Sequence, residues 1–247
     1  MYASPRPLMP VLLSVVVVAV LAVPAVGATN ATTITSFGQL LDGPQADGQI
    51  GDLLLTNDNI TVIISALGHI THSGENGGTV IDAGTQTARY DALGELYTYF
   101  DDDWPRQAVY TSLTITDNGT TGGPAVIRAE GYDLNNPAME VSTEYSLADG
   151  DRYLTLTTWV TGGGSIQPDF ELGDAFQWGS CNRYAPGYGW NVYGTTTQAW
   201  IAGQNPDVCY AYAGIYGDNF GPHGNGWSDL SVTTETLDPA IPVSYTR

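Results

Sequence analysis

The sequence predicts an all-β protein, an antiparallel β-sandwich. Two-residue alternation of apolar and polar side chains recurs along the chain, turn-forming residues follow about every ten positions, and hardly any segment has helical periodicity. The clearest example lies within residues 137–161. Its first arm places four residues on one face: Val141, Thr143, Tyr145 and Leu147.

The second arm of this hairpin follows a turn that contains Asp149 and Gly150, which tolerate positive φ. Leu156 and Val160 lie on one face of the arm, and Trp159 lies on the other among β-branched residues. Because both faces carry such residues, we expect this strand to be covered on both sides in the middle of a large sheet.

Further strands are predicted along the rest of the chain. Between residues 168 and 194 the alternation weakens, and loops are expected to dominate an aromatic, glycine-rich region. The segment 91–100 fits a strand or one to two helical turns. The other predicted strands lie in residues 33–41, 52–56, 60–65, 79–83, 108–116, 124–130, 195–201, 208–213 and 230–247.

The N-terminus has the features of a secretory leader. Arg6 precedes an apolar run, and small residues at 26–28 suit a cleavage site, so residues 1–28 are predicted to be a signal peptide. Residues 29–247 then form a single β-sandwich domain, secreted or at the cell surface. The apolar run could instead remain as a membrane anchor. After cleavage we expect no contact with a membrane.

The charge balance argues against nucleic acid as a partner. The chain has seven basic residues, all Arg, against 26 acidic residues, for a net charge of −19. Such a surface offers few cations to replace the counterions of a phosphate backbone. Adaptation to high salt and an ordinary acidic extracellular protein both fit this composition.

The chain contains two cysteines, Cys181 and Cys209. In an exported protein the default expectation is one disulfide between them. The bridge would stabilise the fold by roughly 3 kcal/mol if it acts through chain entropy.

Several segments resemble galactose-mutarotase-like domains. They are Gly-Asp-Leu-Leu-Leu-Thr-Asn-Asp-Asn-Ile-Thr-Val-Ile-Ile at 51–64, Gly-Gly-Thr-Val-Ile-Asp-Ala at 77–83, Glu-Tyr-Ser-Leu at 144–147 and Arg-Tyr-Leu-Thr-Leu-Thr-Thr at 152–158. The resemblance spans about residues 51–161 and implies an antiparallel β-supersandwich. Domains of this family usually run longer, which leaves open whether the chain is incomplete at its C-terminus.

The resemblance also implies a sugar-related function. The family includes sugar epimerases, polysaccharide lyases and hydrolases, and non-catalytic modules of secreted proteins. Its epimerases use a pair of His, and one would follow Thr161, where this chain has Gly-Gly-Gly-Ser-Ile. The chain therefore resembles a non-catalytic member.

The aromatic region is the candidate carbohydrate-binding site. Flat aromatic faces combined with a few polar groups are the usual composition of such a site. The alternative is that the rings fill the space between two sheets. The predicted contacts are Asp174, Gln177, Trp178, Tyr188 and Trp190, with Tyr184 and Tyr193 close by.

Other clusters of polar residues are less favoured candidates for a catalytic or metal-binding site. Glu171 and Asp174 form the best carboxylate pair for acid–base catalysis, and His69 with His72 could bind a metal. The acidic runs 101–103 and 218–229 could hold calcium, but neither fits the regular spacing of a calcium loop, so solvated acidic turns are the preferred interpretation and no cofactor is expected.

From the sequence we therefore expect a secreted or cell-surface module that binds carbohydrate or acts as a scaffold, without catalysis of its own. The alternative is a carbohydrate-active enzyme: a sugar epimerase, polysaccharide lyase or glycoside hydrolase.

Overall fold

The computed structural model describes residues 29–191, 199–214 and 227–247, and these residues confirm the all-β prediction. The described residues form strands and one short 3₁₀ turn, Phe37–Gln39. The strands are β1 Asn30–Thr33, β2 Leu53–Thr56, β3 Ile60–Ile64, β4 Val80–Thr85, β5 Glu95–Phe100, β6 Ala108–Asn118, β7 Ala125–Asp133, β8 Asn136–Leu147, β9 Thr155–Thr161, β10 Gln167–Gln177, β11 Asn182–Ala185, β12 Gly189–Trp190, β13 Trp200–Gln204, β14 Cys209–Ala213, β15 Trp227–Leu237 and β16 Val243–Thr246.

Three sheets are formed, and every strand pairing within them is antiparallel. The large sheet has the order β1-β2-β3-β4-β5-β10-β15, and the five-stranded sheet has the order β16-β9-β8-β7-β6. The small sheet has the order β12-β11-β13-β14. Consecutive strands are mostly neighbours, as hairpins with short turns require.

The hydrophobic core lies between the large and five-stranded sheets, and the small sheet also contributes to it. Alternate residues point inward, so that Leu55, Phe100, Tyr145 and Val160 are buried in one cluster. Ile201 of the small sheet belongs to the same cluster. The three sheets therefore share one core.

Tyrosine hydroxyls cross the gap between the two main sheets. Tyr145 donates to the Gly78 carbonyl at 2.6 Å, and Tyr245 donates to the Gly173 carbonyl at 2.8 Å. Each bond satisfies a buried polar group that would otherwise cost free energy in the core.

A buried ion pair lies at the centre of this interface. Asp174 of β10 binds Arg247, which follows β16, and both side chains are buried. The Tyr212 hydroxyl of β14 donates to Asp174 Oδ2 at 2.6 Å, and Arg247 Nη1 donates to Thr158 Oγ1 of β9 at 2.7 Å. The guanidinium also lies 4.5 Å from the centre of the Tyr245 ring. We call Asp174, Arg247, Tyr212 and Thr158 the polar hub; its members come from all three sheets.

The structure corrects two predictions about strands. Residues 167–177 form the long strand β10 rather than a loop. The side chains of Leu172 and Phe176 point into the core, and the small residues Gly173 and Ala175 occupy the opposite face, so the alternation is hard to recognise in the sequence. Strand β9 pairs with strands on both sides, as predicted. It is not covered on both faces, however, because its outward residues are half-buried.

The predicted disulfide is not formed: Cys181 and Cys209 are free thiols. Both flank β13, whose Gln204 pairs with Asn182 on one side and with Cys209 on the other. Strands two places apart are separated by about 10 Å, whereas a disulfide needs Cα atoms within about 7 Å. Cys181 packs against the core and Cys209 is exposed, so the two side chains also lie on opposite faces of the small sheet.

The predicted signal peptide, residues 1–28, lies outside the described residues. Within the described ranges, no helix has the length and apolar character needed to span a bilayer.

The ion pair makes a first testable prediction. Replacement Asp174→Asn leaves the buried Arg247 cation without its counterion, so we expect the free energy of unfolding to fall by about 3–5 kcal/mol. Urea denaturation measures this loss. The matched control is Glu130→Gln, which breaks the surface pair of Arg128 and Glu130 (3.0 Å) and should cost less than about 1 kcal/mol. Equal losses in the two variants would contradict the assignment.

Candidate functional site

The small sheet is fixed to the core through its inner face. Along β14, Tyr210 and Tyr212 point inward, and Cys209 with Ala211 points outward. Tyr212 joins the polar hub. The Tyr210 hydroxyl lies 2.8 Å from the Ala83 carbonyl of β4 and accepts a hydrogen bond from the Ala92 N–H at 2.9 Å. The opposite face of the sheet is left to solvent.

Asp91 completes this attachment at the large sheet. Its Oδ1 accepts hydrogen bonds from the Ala83 N–H at 2.9 Å and lies 3.1 Å from the Tyr210 hydroxyl. Its Oδ2 is buried and has no hydrogen-bond partner. Burial, with a smaller contribution from the charge of Asp82, raises the pKa of Asp91 to about 8.

A tight hairpin shapes the outer face of the small sheet. Pro186, Gly187 and Tyr188 connect β11 to β12, with φ of 81° at Gly187, and the Tyr188 N–H donates to the Ala185 carbonyl at 3.0 Å. Tyr184 then pairs with Trp190 across the hairpin. Directly paired residues point to the same side of a sheet, so both rings face outward.

Three outward rings form a surface that we call the aromatic platform: Tyr184, Trp190 and Trp200. The Tyr184 ring centre lies 5.1 Å from that of Trp190 and 5.7 Å from that of Trp200, with which it stacks at 27°. Trp190 and Trp200 keep 51% and 42% of their surface exposed. Large exposed aromatic surfaces are characteristic of binding sites.

Beside the platform lies an open groove of about 380 Å³, within the size range of ligand sites. We call it the amide groove, because four of its lining residues carry side-chain amides. The Asn191 amide donates to Asn182 Oδ1 at 3.2 Å, which leaves the Asn182 amide N–H₂ group without a hydrogen-bond partner among the described residues. The lining residues are Asn182, Trp190, Asn191, Gln204, Asn205 and Pro206.

The two surfaces together offer complementary chemistry. The platform can stack on an apolar ring face, and the Gln204 amide and the Asn182 N–H₂ group remain available to a ligand. The other two amides are engaged within the fold: Asn205 Oδ1 accepts from the Asp207 and Val208 N–H groups, both at 2.9 Å, and Asn191 Oδ1 accepts from the Arg183 N–H at 3.0 Å. Gln204 is exposed, and its side chain makes no hydrogen bond within the described part of the chain. A ligand with apolar faces and many hydroxyl groups matches this arrangement.

The structure places some of the predicted carbohydrate contacts at this surface and others in the core. Trp190 belongs to the platform, and Tyr188, 46% exposed, lies in the adjoining turn. Trp178 is wrong as a surface contact, because its ring is fully buried, stacks 3.9 Å from Phe176 and donates to Ser228 Oγ at 2.9 Å. Asp174 is also wrong as a contact, because it is buried in the polar hub, which removes the proposed pair with Glu171 as well.

Gln177 lies away from the platform, on the outer face of the large sheet. Its amide donates to Ser73 Oγ at 2.6 Å. Tyr193 falls outside the described residues. Sequence reasoning missed Trp200, Asn182 and Gln204 as site residues. The pairing of Asn182 with Gln204, which places both on one face, depends on strand register and could not be seen in the sequence.

A second cleft lies on the outer face of the large sheet and holds about 30 Å³. Asp102 and Asp229 line it with Tyr99 and Glu171. Burial, followed by the Asp102 charge, raises the pKa of Asp229 to about 7. The two acidic runs singled out in the sequence therefore meet here, the first through Asp101 and Asp102 and the second through Asp229. Residues 218–226 of the second run lie outside the described residues.

The other candidate clusters are engaged within the fold. Asp101 binds Arg106 at 2.6 Å and accepts from the Glu171 N–H at 2.8 Å. His69 Nδ1 lies 2.9 Å from Asp52, and His72 Nδ1 lies 3.5 Å from Asp47, so the two histidines contact different carboxylates. No group of three or more His, Cys, Asp or Glu side chains in residues 29–191, 199–214 and 227–247 is arranged to hold a metal ion.

The buried carboxyl groups predict an unusual pH dependence of stability. Burial raises the pKa of Asp82 to about 6 and that of Asp91 to about 8, so the folded chain binds these protons more tightly than the unfolded chain. Their contribution to the free energy of unfolding should therefore decrease as the pH rises from about 4 to about 8.

Urea midpoints at pH 5, 7 and 8.5 measure this effect. Asp91→Asn cannot ionise at position 91, so its loss of stability between pH 5 and 8.5 should be smaller than that of the parent chain. Asp58→Asn alters an exposed turn carboxylate and serves as the control. A parent profile that Asp91→Asn leaves unchanged would contradict the role of Asp91.

Comparison with known proteins adds no family assignment. No protein-family model matches this chain, and no curated protein matches it.

Proposed function

We propose that this chain is a carbohydrate-binding module without catalysis of its own. The aromatic platform beside the amide groove carries the proposal, because a sugar presents apolar ring faces to stacking surfaces and hydroxyl groups to hydrogen-bonding side chains. Platform and groove share one face of a sheet whose other face is fixed to the core. The binding surface is thus preformed, which lowers the entropic cost of association.

The same proposal places the module outside the cell, secreted or at the cell surface. The leader-like residues 1–28 and the strongly acidic composition support this location. The segments within residues 51–161 that resemble galactose-mutarotase-like domains, together with the antiparallel sandwich, support a β-supersandwich of that kind. Within the same proposal the module can serve as a scaffold instead of, or in addition to, binding carbohydrate.

The cleft at Asp102 and Asp229 supports a second candidate, a carbohydrate-active enzyme. A carboxyl group with a pKa near 7 is suited to acid–base catalysis. The cleft that Asp102 and Asp229 line holds only about 30 Å³, however, whereas the two carboxyl groups of a glycosidase flank a sugar and stand about 5 Å or more apart. Hydrolysis of a polysaccharide that disappears in Asp229→Asn would favour the enzyme.

The platform yields a direct test by mutation. Trp190→Ala and Trp200→Ala each remove a large apolar surface worth about 1.5–3 kcal/mol when buried, so polysaccharide affinity should fall roughly ten- to a hundredfold. Pull-down with insoluble polysaccharides, followed by measurement of the unbound fraction, gives the affinity.

Tyr153→Ala is the control for these variants, because Tyr153 is an exposed aromatic residue between β8 and β9, in another sheet. It should bind as the parent chain does. Unchanged affinity in both Trp variants would show that the platform is not the binding surface, and no binding by the folded parent chain to any polysaccharide would refute the proposed function.

A further inference from the structure

Among the residues that the structure describes, those that line the amide groove include no charged side chain. Four amides, one indole ring and Pro206 form its walls. Sites that select carboxylate or sulfate groups normally supply Arg or Lys, because charge-assisted hydrogen bonds are about twice as strong as neutral ones. Such a cation is missing from the residues that line this groove.

The nearest arginine in sequence is directed away from the groove. Arg183 lies between outward Asn182 and outward Tyr184, so its side chain points to the inner face of the small sheet. The side chain is almost fully buried, and Nη1 donates to the Trp227 carbonyl at 3.3 Å. An anion bound on the outer face cannot reach it.

The charge around the groove is negative instead. Asp207 is exposed and follows directly after Asn205 and Pro206 of the lining. The whole chain carries a net charge of −19. A uronic acid or sulfated polymer would therefore be repelled as it approached and would find no cation on arrival.

The platform also favours an extended ligand. Tyr184 lies between the two tryptophans and contacts both, and Trp190 and Trp200 at the two ends each keep about half of their surface exposed. The groove then continues past Trp190, which lines it and also belongs to the platform. A chain of several pyranose rings can stack on the platform while a neighbouring sugar presents its hydroxyl groups to the amides.

We propose that the platform and the amide groove bind a neutral polysaccharide and discriminate against anionic ones. This inference rests on the proposed carbohydrate-binding function and adds the class of ligand. The Gln204 and Asn182 amides bind hydroxyl groups, the aromatic rings stack on apolar pyranose faces, and the Asp207 carboxylate together with the net negative charge of the chain repels uronates and sulfated sugars.

The test is affinity electrophoresis of the full chain in gels that contain soluble polysaccharides. The neutral probes are hydroxyethylcellulose, glucomannan and galactomannan, and the anionic probes are polygalacturonate, alginate and chondroitin sulfate. At least one neutral polymer should be bound ten or more times more tightly than every anionic one. Its affinity, measured by calorimetry, should stay within about twofold between about 0.1 M and 1 M NaCl, because screening affects only charged pairs.

Variants of Gln204 identify the groove as the source of this preference. Gln204→Ala should weaken neutral binding about three- to tenfold through lost hydrogen bonds. Gln204→Lys should in addition increase retention by polygalacturonate. Asn135→Ala removes an exposed amide from the turn between β7 and β8 and should change neither.

The outcomes separate the two proposals. Equal or tighter binding of an anionic polymer would overturn the neutral class while carbohydrate binding stood. A neutral preference that both Gln204 variants leave intact would overturn the assignment to the groove. Retention by none of the polymers, with the chain folded by circular dichroism, would refute carbohydrate binding itself.

Discussion

The buried contact between Asp174 and Arg247 is the interaction on which the rest of the structure depends. Asp174 belongs to the large sheet, Arg247 pairs with Leu156 of the five-stranded sheet, and Tyr212 brings in the small sheet. Charges in a low-dielectric interior are tolerated only with well-placed partners, so any shift of one sheet against another carries a large free-energy cost. The polar hub therefore fixes the relative positions of layers whose apolar contacts alone would allow sliding.

The position of the candidate site follows from this constraint. With Tyr212 in the hub and Tyr210 at Ala83, the inner face of the small sheet is committed to the core. Strand alternation then leaves the other face to solvent, and that face carries the aromatic platform. Rings held by paired strands lose little entropy on binding, which is why a rigid sheet is a good support for a stacking surface.

The sequence predicted the fold class because alternation survives wherever one face of a strand is apolar and the other polar, as in β8. Strands β2 and β3 are apolar on both faces and were recognised instead as short apolar runs joined by a turn. Prediction from the sequence failed for β10, where Asp174 occupies a core position and Gly173 an outward one. The sequence did not distinguish the exposed Trp190 from the buried Trp178, because composition and spacing do not show which indole ring points into the core. The exposed face that carries Asn182 and Gln204 could not be predicted for the same reason, because strand pairing in the folded chain determines which residues share a face.

The claim that one hub holds three sheets is tested most directly by native-state hydrogen exchange in Asp174→Asn. The account predicts that backbone amides of β9, β10 and β14, one strand from each sheet, lose protection together and by similar factors. Tyr153 and its neighbours in the exposed turn between β8 and β9 should exchange as in the parent chain. Loss of protection confined to β10, with β9 and β14 unchanged, would contradict the hub and leave the small sheet without the anchor on which its outward face depends.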